Sequence, residues 1–217
     1  MQTQRTMREI RHFIWDFDGT LFDTYPIIIG SLRDALQDYG RDCDPLVSMK
    51  LMLDAIPTAR NYYADLYGID REELANTYRR YYKPAIDALT AKPFPGIAEV
   101  LERICSSGRY NYIYTHRDIE ETVRFLEKHG LLDYFTEIVG SGSPAFAVKP
   151  APDTVLYLMD KYGMSAADTV MVGDRECDLG SGRSAGIGAV HYVCAEVPED
   201  LVCDWRVDTF SEMLALL

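Results

Sequence analysis

Positive charge is scarce in this 217-residue chain. Twenty-two Lys and Arg stand against 34 Asp and Glu, giving a formal net charge of -12. General electrostatic binding of nucleic acid needs clustered Lys and Arg, so this composition argues against a nucleic-acid partner. An acidic surface also gives an anionic ligand no long-range steering, so any anion must be held by local positive charge or a metal. Cysteine is sparse too. The five, at 43, 105, 177, 194 and 203, are odd in number and form no C-x-x-C. That speaks against a disulfide framework and a thiolate zinc site, and suits a reducing cytosol. No apolar run approaches the ~18 residues that span a bilayer. The polar segment after Met1 has no apolar core of signal-peptide type. The expectation is a cytoplasmic protein without a membrane partner. His12, His129 and His191 lack ligand spacing, and there is no G-x-x-x-x-G-K-S/T loop for nucleotide phosphates. Gly180-Ser181-Gly182 opens like a dinucleotide fingerprint, but its third glycine, Gly186, falls one position late. Repeats and low-complexity segments are also lacking.

What is present is enough apolar sequence, 47%, for one full core and a smaller module. Residues 1–11 are polar and read as a ragged lead-in, and 12–17 as a first strand. Ile28, Leu32, Ala35, Leu36 and Tyr39 recur at helical spacing, with Gly40 as a stop. Asp44-Pro45 starts another helix, and Pro57 interrupts the pattern. Two further helices, 58–67 and 70–90, are rich in Tyr and separate at Gly68. The Tyr cluster suits packing between helices. Lys92-Pro93-Phe94-Pro95-Gly96 is a composition break and reads as a hinge. Beyond it strands alternate with helices: strands near 110–115, 135–139, 169–172, 188–193 and 205–208, helices near 97–107, 118–129, 152–162, 179–185 and 210–217. Alternation of this kind predicts an α/β fold, with a parallel sheet and helices on both faces. Residues 24–91 then form an all-helical insertion into a core made of 1–23 and 92–217.

The chain is organised around His12-Phe13-Ile14-Trp15-Asp16-Phe17-Asp18-Gly19-Thr20. A strand-like run ends in two carboxylates two positions apart, which period-two geometry sends to the same side. Two such acids repel, so the site needs a cation between them or a proton on one. Three more polar clusters follow or flank later strands: Thr115-His116-Arg117, Lys149-Pro150 and Gly173-Asp174-Arg175-Glu176-Cys177-Asp178. A parallel sheet gathers such loops at its carboxyl edge. Carboxylates, a hydroxyl and an ammonium together suit a divalent cation and a phosphoryl group.

Asp16-Phe17-Asp18-Gly19-Thr20-Leu21, Thr115, Lys149-Pro150 and Gly173 to Asp178 resemble the four ordered motifs of the haloacid dehalogenase superfamily, over roughly residues 12–193. The nearest resemblance is to its phosphoglycolate phosphatase-like and β-phosphoglucomutase-like branches. The resemblance implies a Rossmann-like core with a small helical cap, formed here by residues 24–91. It implies Asp16 as a nucleophile that forms an aspartyl-phosphate. Asp18 becomes general acid and base. Mg²⁺ is then held by Asp16, the backbone carbonyl of Asp18 and Asp174, while Asp178 either binds the metal or orients a metal-bound water. Asp178 also fits a helix-capping acid. Thr115 is expected to hold phosphoryl oxygens, and Lys149 to neutralise the nucleophile and the transferring group.

Gly19, His116, Arg117, Lys50 and Arg60 are the further candidates for substrate contact. Arg117 fits either a second anionic group on the substrate or a solvated surface position. Lys50 and Arg60 read first as solvated helix residues. Asp23 is a candidate hinge anchor, and Cys177 is incidental, since nothing nearby lowers its thiol pKa. The expected activity is Mg²⁺-dependent hydrolysis of a small phosphorylated metabolite. A sugar-phosphate phosphomutase is the alternative, although the helical insertion is not rich in basic residues for a second phosphate. A non-catalytic phosphate-binding protein would be marked by loss of Asp16 or Asp18, and both are present.

Overall fold

The protein is described from a computed structural model covering residues 6–54, 56–140, 146–194 and 201–217. Two compact units emerge, one made of Met1–Phe22 with Pro93–Leu217, the other of Asp23–Lys92.

The first unit is a six-stranded parallel sheet. Its strands are β1 (His12–Trp15), β2 (Tyr110–Tyr114), β3 (Phe135–Val139), β4 (Thr169–Gly173), β5 (Gly188–Tyr192) and β6 (Trp205–Val207). They lie in the order β3-β2-β1-β4-β5-β6. From β1 the chain first builds outward through β2 and β3, then returns to β4 on the other side. The strand order therefore reverses between β1 and β4, which is where open α/β sheets bind ligands. Trp15, the last residue of β1, is level with Ile113 on one side and Val172 on the other. Asp16, Thr115 and Asp174 thus leave the sheet within two residues of one level.

Alternation along β1 splits the core between two faces. Ile14 joins Tyr112, Tyr114 and Met171 against Val155 and Leu158 of α7 (Asp153–Tyr162). Phe13 and Trp15 point the other way, where Trp15 meets Phe210 of α9 (Phe210–Leu216) with ring centroids 6.2 Å apart. Trp15 is fully buried, and its indole N–H donates to Asn111 Oδ1 at 2.9 Å. Each fully buried side chain of this size contributes about 1.5–3 kcal/mol. The remaining helices of this unit are α5 (Ile97–Ser106), α6 (Ile119–Lys128) and α8 (Glu176–Ser184).

The second unit holds α1 (Tyr25–Gln37), α2 (Pro45–Asp54), α3 (Ile56–Tyr67) and α4 (Arg71–Asp87). Asp70 caps α4 by accepting from the Glu72 and Glu73 amides at 2.9 and 3.0 Å. The tyrosines tie these elements together. Tyr39 OH reaches Glu73 and Thr77, Tyr81 OH donates to Asp38, and Tyr67 OH to the Asp42 carbonyl. Tyr78 and Tyr82 stack, while Tyr62 is exposed. Asp23 N–H donates to Lys92 O at 2.9 Å, joining the two ends of the unit.

Several boundaries differ from the sequence expectation. Residues 7–9 form a 3₁₀ turn with Met7 and Ile10 buried, so the described part of the lead-in is packed; its first five residues lie outside the described set. The interruption expected at Pro57 comes slightly earlier: α2 ends at Asp54 and α3 starts at Ile56, so Pro57 is the second residue of α3, where its missing N–H costs nothing. Helix α8 begins at Glu176 rather than 179, which moves Asp178 into its first turn. Strand β1 ends at Trp15, two residues early, because Asp18 turns away to bridge Phe22. Gly180-Ser181-Gly182 lies inside α8.

Candidate active site

Asp16 follows β1, and its N–H still donates to Val172 O at 2.9 Å, so the nucleophile candidate is tied to β4. Gly19 then turns the chain with φ 78°, a value that favours glycine, and donates to Phe22 O at 2.9 Å. Thr20 comes round with its hydroxyl donating to Asp174 Oδ1 at 3.0 Å. Two motifs 154 residues apart are thereby bonded directly.

Asp174 leaves β4 and Asp178 returns to it. The return requires Gly173, because a Cβ there would lie 2.3 Å from Asp178 Cβ. Asp178 serves two partners. Its Oδ2 accepts the Arg175 N–H at 3.1 Å, capping α8, and its Oδ1 accepts Lys149 Nζ at 2.8 Å. The capping role expected of it is present, and the same carboxylate also holds Lys149. Lys149 Nζ also donates to Asp16 Oδ1 at 2.5 Å and sits 4.6 Å above the Tyr114 ring. Its side chain is wholly buried.

Asp16, Asp174 and Asp178 offer oxygens that all lie within 4.8 Å of one another. Asp16 Oδ2 is buried and has no hydrogen-bond partner. Arg175, also buried, stands 4.0 Å from that oxygen and 3.6 Å from Asp178 Oδ2. When all three carboxylates are ionised they outnumber the two cations that face them, and an all-oxygen cluster with an unsatisfied buried oxygen fits a hard divalent cation.

The electrostatics follow from burial. Desolvation first, then the charge of Asp178, pushes Asp16 up to about 7. Desolvation also opposes ionisation of Asp178, but Lys149 and Arg175 outweigh it and hold that carboxyl below the usual range. For Lys149, burial works against the ammonium, and Asp16 with Asp178 more than restores it. Burial, then Lys149 and Arg175, drive His116 down to about 4. Its Nε2 accepts the Lys149 N–H at 3.1 Å, so the neutral ring carries its proton on Nδ1. Thr115 Oγ1 accepts the Arg117 N–H at 3.0 Å and keeps its own O–H as a donor.

The expectation for the first two acids changes in one respect. Asp18 does not join the three-carboxylate group; it pairs with Arg117, while Asp16 pairs with Lys149. Each acid has its own cation, which relieves the repulsion expected between them. Arg117 is not a solvated surface residue. It is buried, with Phe17 and Phe125 flanking its guanidinium and Glu121 taking its Nη1. In the helical unit, Lys50 is exposed on α2. Arg60 is half-buried, 6.0 Å from the Tyr78 ring centroid. Cys177 is pushed up to about 12 by burial and by Asp178, so it carries no thiolate. Sequence reading missed Thr20, Arg175 and Cys194, whose Sγ lies 3.4 Å from Asp174 Oδ2. Thr20 and Arg175 flank motif acids, which was the available signal; nothing in the sequence marked Cys194.

Comparison with known proteins identifies the family and the fold. Residues 13–192 match the haloacid dehalogenase-like hydrolase family. A phosphoglycolate phosphatase from Aliivibrio fischeri is 27% identical, covering 96% of this chain and 97% of that protein. The pyrophosphatase PpaX of Halalkalibacterium halodurans is 29% identical, covering 92% of this chain and 91% of its own. A solved structure of a predicted phosphoglycolate phosphatase from Haemophilus somnus shares the fold, with a TM-score of 0.83 over 96% of this chain and 98% of that one, at 22% identity.

Proposed function

Because the chain belongs to the haloacid dehalogenase-like hydrolase family, we propose that it is a Mg²⁺-dependent phosphatase of small phosphorylated metabolites, working through an aspartyl-phosphate on Asp16. The observation that carries this reading is the buried Lys149 ammonium 2.5 Å from Asp16 Oδ1, at the point where the strand order reverses. The ammonium offsets the charge that an attacking carboxylate and an incoming phosphate would otherwise bring together.

In the first step an Asp16 oxygen attacks phosphorus, the bond from phosphorus to the leaving oxygen breaks, and Asp18 gives that oxygen its proton. In the second, Asp18 takes a proton from water, the water oxygen bonds to phosphorus, and the Asp16–phosphorus bond breaks to release inorganic phosphate. Thr115 donates its O–H to a phosphoryl oxygen, and neutral His116 holds the Lys149 loop beside it. Asp16, Asp174 and the Asp18 carbonyl, with Asp178 beside them, would hold Mg²⁺, which when bound would supply charge neutralisation for the phosphoryl group. The helical unit serves as the cap that selects the substrate, with Lys50 and Arg60 as its candidate contacts. Relatives that act on phosphoglycolate and on pyrophosphate mark the substrates to compare first.

The test is hydrolysis of an aryl phosphate with Mg²⁺ and then with EDTA, repeated in Asp16→Asn. Turnover that needs the metal and vanishes in the variant supports the reading. Undiminished turnover in Asp16→Asn removes it. A screen of phosphorylated metabolites ranked by kcat/KM then names the substrate.

A further inference from the structure

The residue two places after Thr115 sits against the proposed acid and base. Arg117 Nη2 donates to Asp18 Oδ1, and both side chains are almost wholly buried. Asp18 lies in a turn whose backbone is fixed by the Gly19 N–H bond to Phe22 O, but that bond leaves the direction of its side chain open. Arg117 supplies the direction. Its own guanidinium is located from three sides. The Phe17 ring centroid is 5.5 Å away, the Phe125 centroid 5.6 Å, and Glu121 Oε2 accepts from Nη1 at 3.2 Å. Glu121 is held in turn, since its N–H donates to the Asp118 side chain that caps α6, at 3.1 Å. The two terminal nitrogens of Arg117 are therefore each engaged by a protein carboxylate, which speaks against a primary role in gripping a substrate anion. A cation locked by packing and by an anchored partner orients a neighbouring group far better than a mobile surface side chain does.

We propose that Arg117, backed by Glu121, Phe17 and Phe125, is a positioning residue that aims the Asp18 carboxyl for proton transfer to the leaving oxygen. The inference rests on the phosphatase reading given above and adds to it a requirement outside the four motifs. Proton donation matters in proportion to the basicity of the leaving group. Phenyl phosphate expels a basic oxygen and needs the proton; dinitrophenyl phosphate expels a stabilised anion and does not.

The experiment compares kcat/KM for these two esters in the wild type, Arg117→Met, Arg117→Lys and Glu121→Gln. Arg117→Met is expected to lower the phenyl phosphate value about 100-fold and the dinitrophenyl phosphate value by no more than about threefold. Arg117→Lys recovers part of the phenyl phosphate loss. Glu121→Gln, which leaves the arginine in place, shows the same selectivity at about three- to tenfold. Equal losses on both esters in the soluble variants, or no loss on either, overturn the proposal. If Arg117→Met does not fold, Glu121→Gln alone decides, since a purely structural clamp predicts no dependence on the leaving group. Failure of the phosphatase reading looks different: Asp16→Asn then retains turnover of dinitrophenyl phosphate whatever happens at Arg117.

Discussion

The α/β unit and the helical unit handle charge in opposite ways. In the α/β unit, Lys149 and its partners Asp16 and Asp178 are at most 1% exposed. In the helical unit, the Arg33–Asp42, Arg71–Asp65, Arg80–Asp38 and Lys83–Asp87 pairs all stand largely in water. Burying an ion costs several kcal/mol, and an exposed pair returns little. Among the described residues the fully buried pairs lie in the α/β unit, beside its exposed pairs Lys161–Glu137, Arg183–Glu176 and Arg206–Asp208, and their place at the candidate site fits the proposed chemistry. The helical unit, held by tyrosine hydroxyls and apolar packing, keeps its charges where they can change without loss of the fold.

The contrast is broken most forcefully at Lys149. Lys149→Met leaves Asp16 Oδ1 and Asp178 Oδ1 buried without the ammonium that both accept from. Removing one partner of a buried pair costs about 3–5 kcal/mol. Loss of the charge that offsets the phosphoryl group lowers kcat by at least about 10³-fold. Urea denaturation and turnover of an aryl phosphate measure the two effects separately. A variant with wild-type stability and activity would show that the buried charge is dispensable.

These outcomes bear on how much the sequence could reveal. The sheet, its alternation with helices and the four polar clusters were legible because hydrophobic period and strand-end position are local properties. Partner choice was not. Long side chains such as Arg117 and Arg175 reach several ångströms from their backbone, so loop position leaves their direction open. Arg117 turned inward because Phe17, remote in sequence, and Phe125, on the helix that follows it, made a slot for it. The start of α8 was hidden for a related reason. Its N-cap is Arg175, a poor capping residue by type, and the cap bond comes back from Asp178. Gly173 was legible as part of a motif but not for its reason, which is that only its missing Cβ gives Asp178 room to return.

A second, intermediate effect concerns pH. Asp16 is raised to about 7 by burial and by Asp178, above its unfolded value. A carboxyl raised in the folded state contributes stability that is present below its unfolded pKa and lost as pH rises through about 7. Asp178 is lowered and runs the other way: its contribution is present above the unfolded value and lost on acidification. The metal-free protein should therefore lose melting temperature between about pH 4 and pH 7 on account of Asp16. A cation that binds the ionised cluster reverses the loss. Mg²⁺ affinity, followed by titration calorimetry, should rise about tenfold from pH 6 to pH 8. His116, driven down to about 4 from an ordinary 6.5, runs against Asp16: it adds stability as pH rises from about 4 to 6.5 and offsets part of that loss. It stays neutral in the folded protein from about pH 6 to 8, so the Mg²⁺ affinity reports Asp16 without it. A flat Mg²⁺ affinity would mean that Asp16 is ionised without the metal.

The smallest effect tests the other side of the contrast. Arg71 and Asp65 form a two-bond pair, with Nε to Oδ1 at 2.8 Å and Nη2 to Oδ2 at 2.6 Å, the best geometry among the helical unit's ion pairs. Both side chains are more than half exposed, so water screens the attraction. Arg71→Ala should then leave the urea midpoint nearly where it is, with any difference vanishing at high salt and kcat unchanged. Geometry alone would rank this pair beside Lys149 and Asp16, since the distances are similar; burial ranks it far below. If Arg71→Ala destabilised the protein as much as Lys149→Met, burial would not be what separates the two units, and the argument that buried charge marks the site would lose its footing.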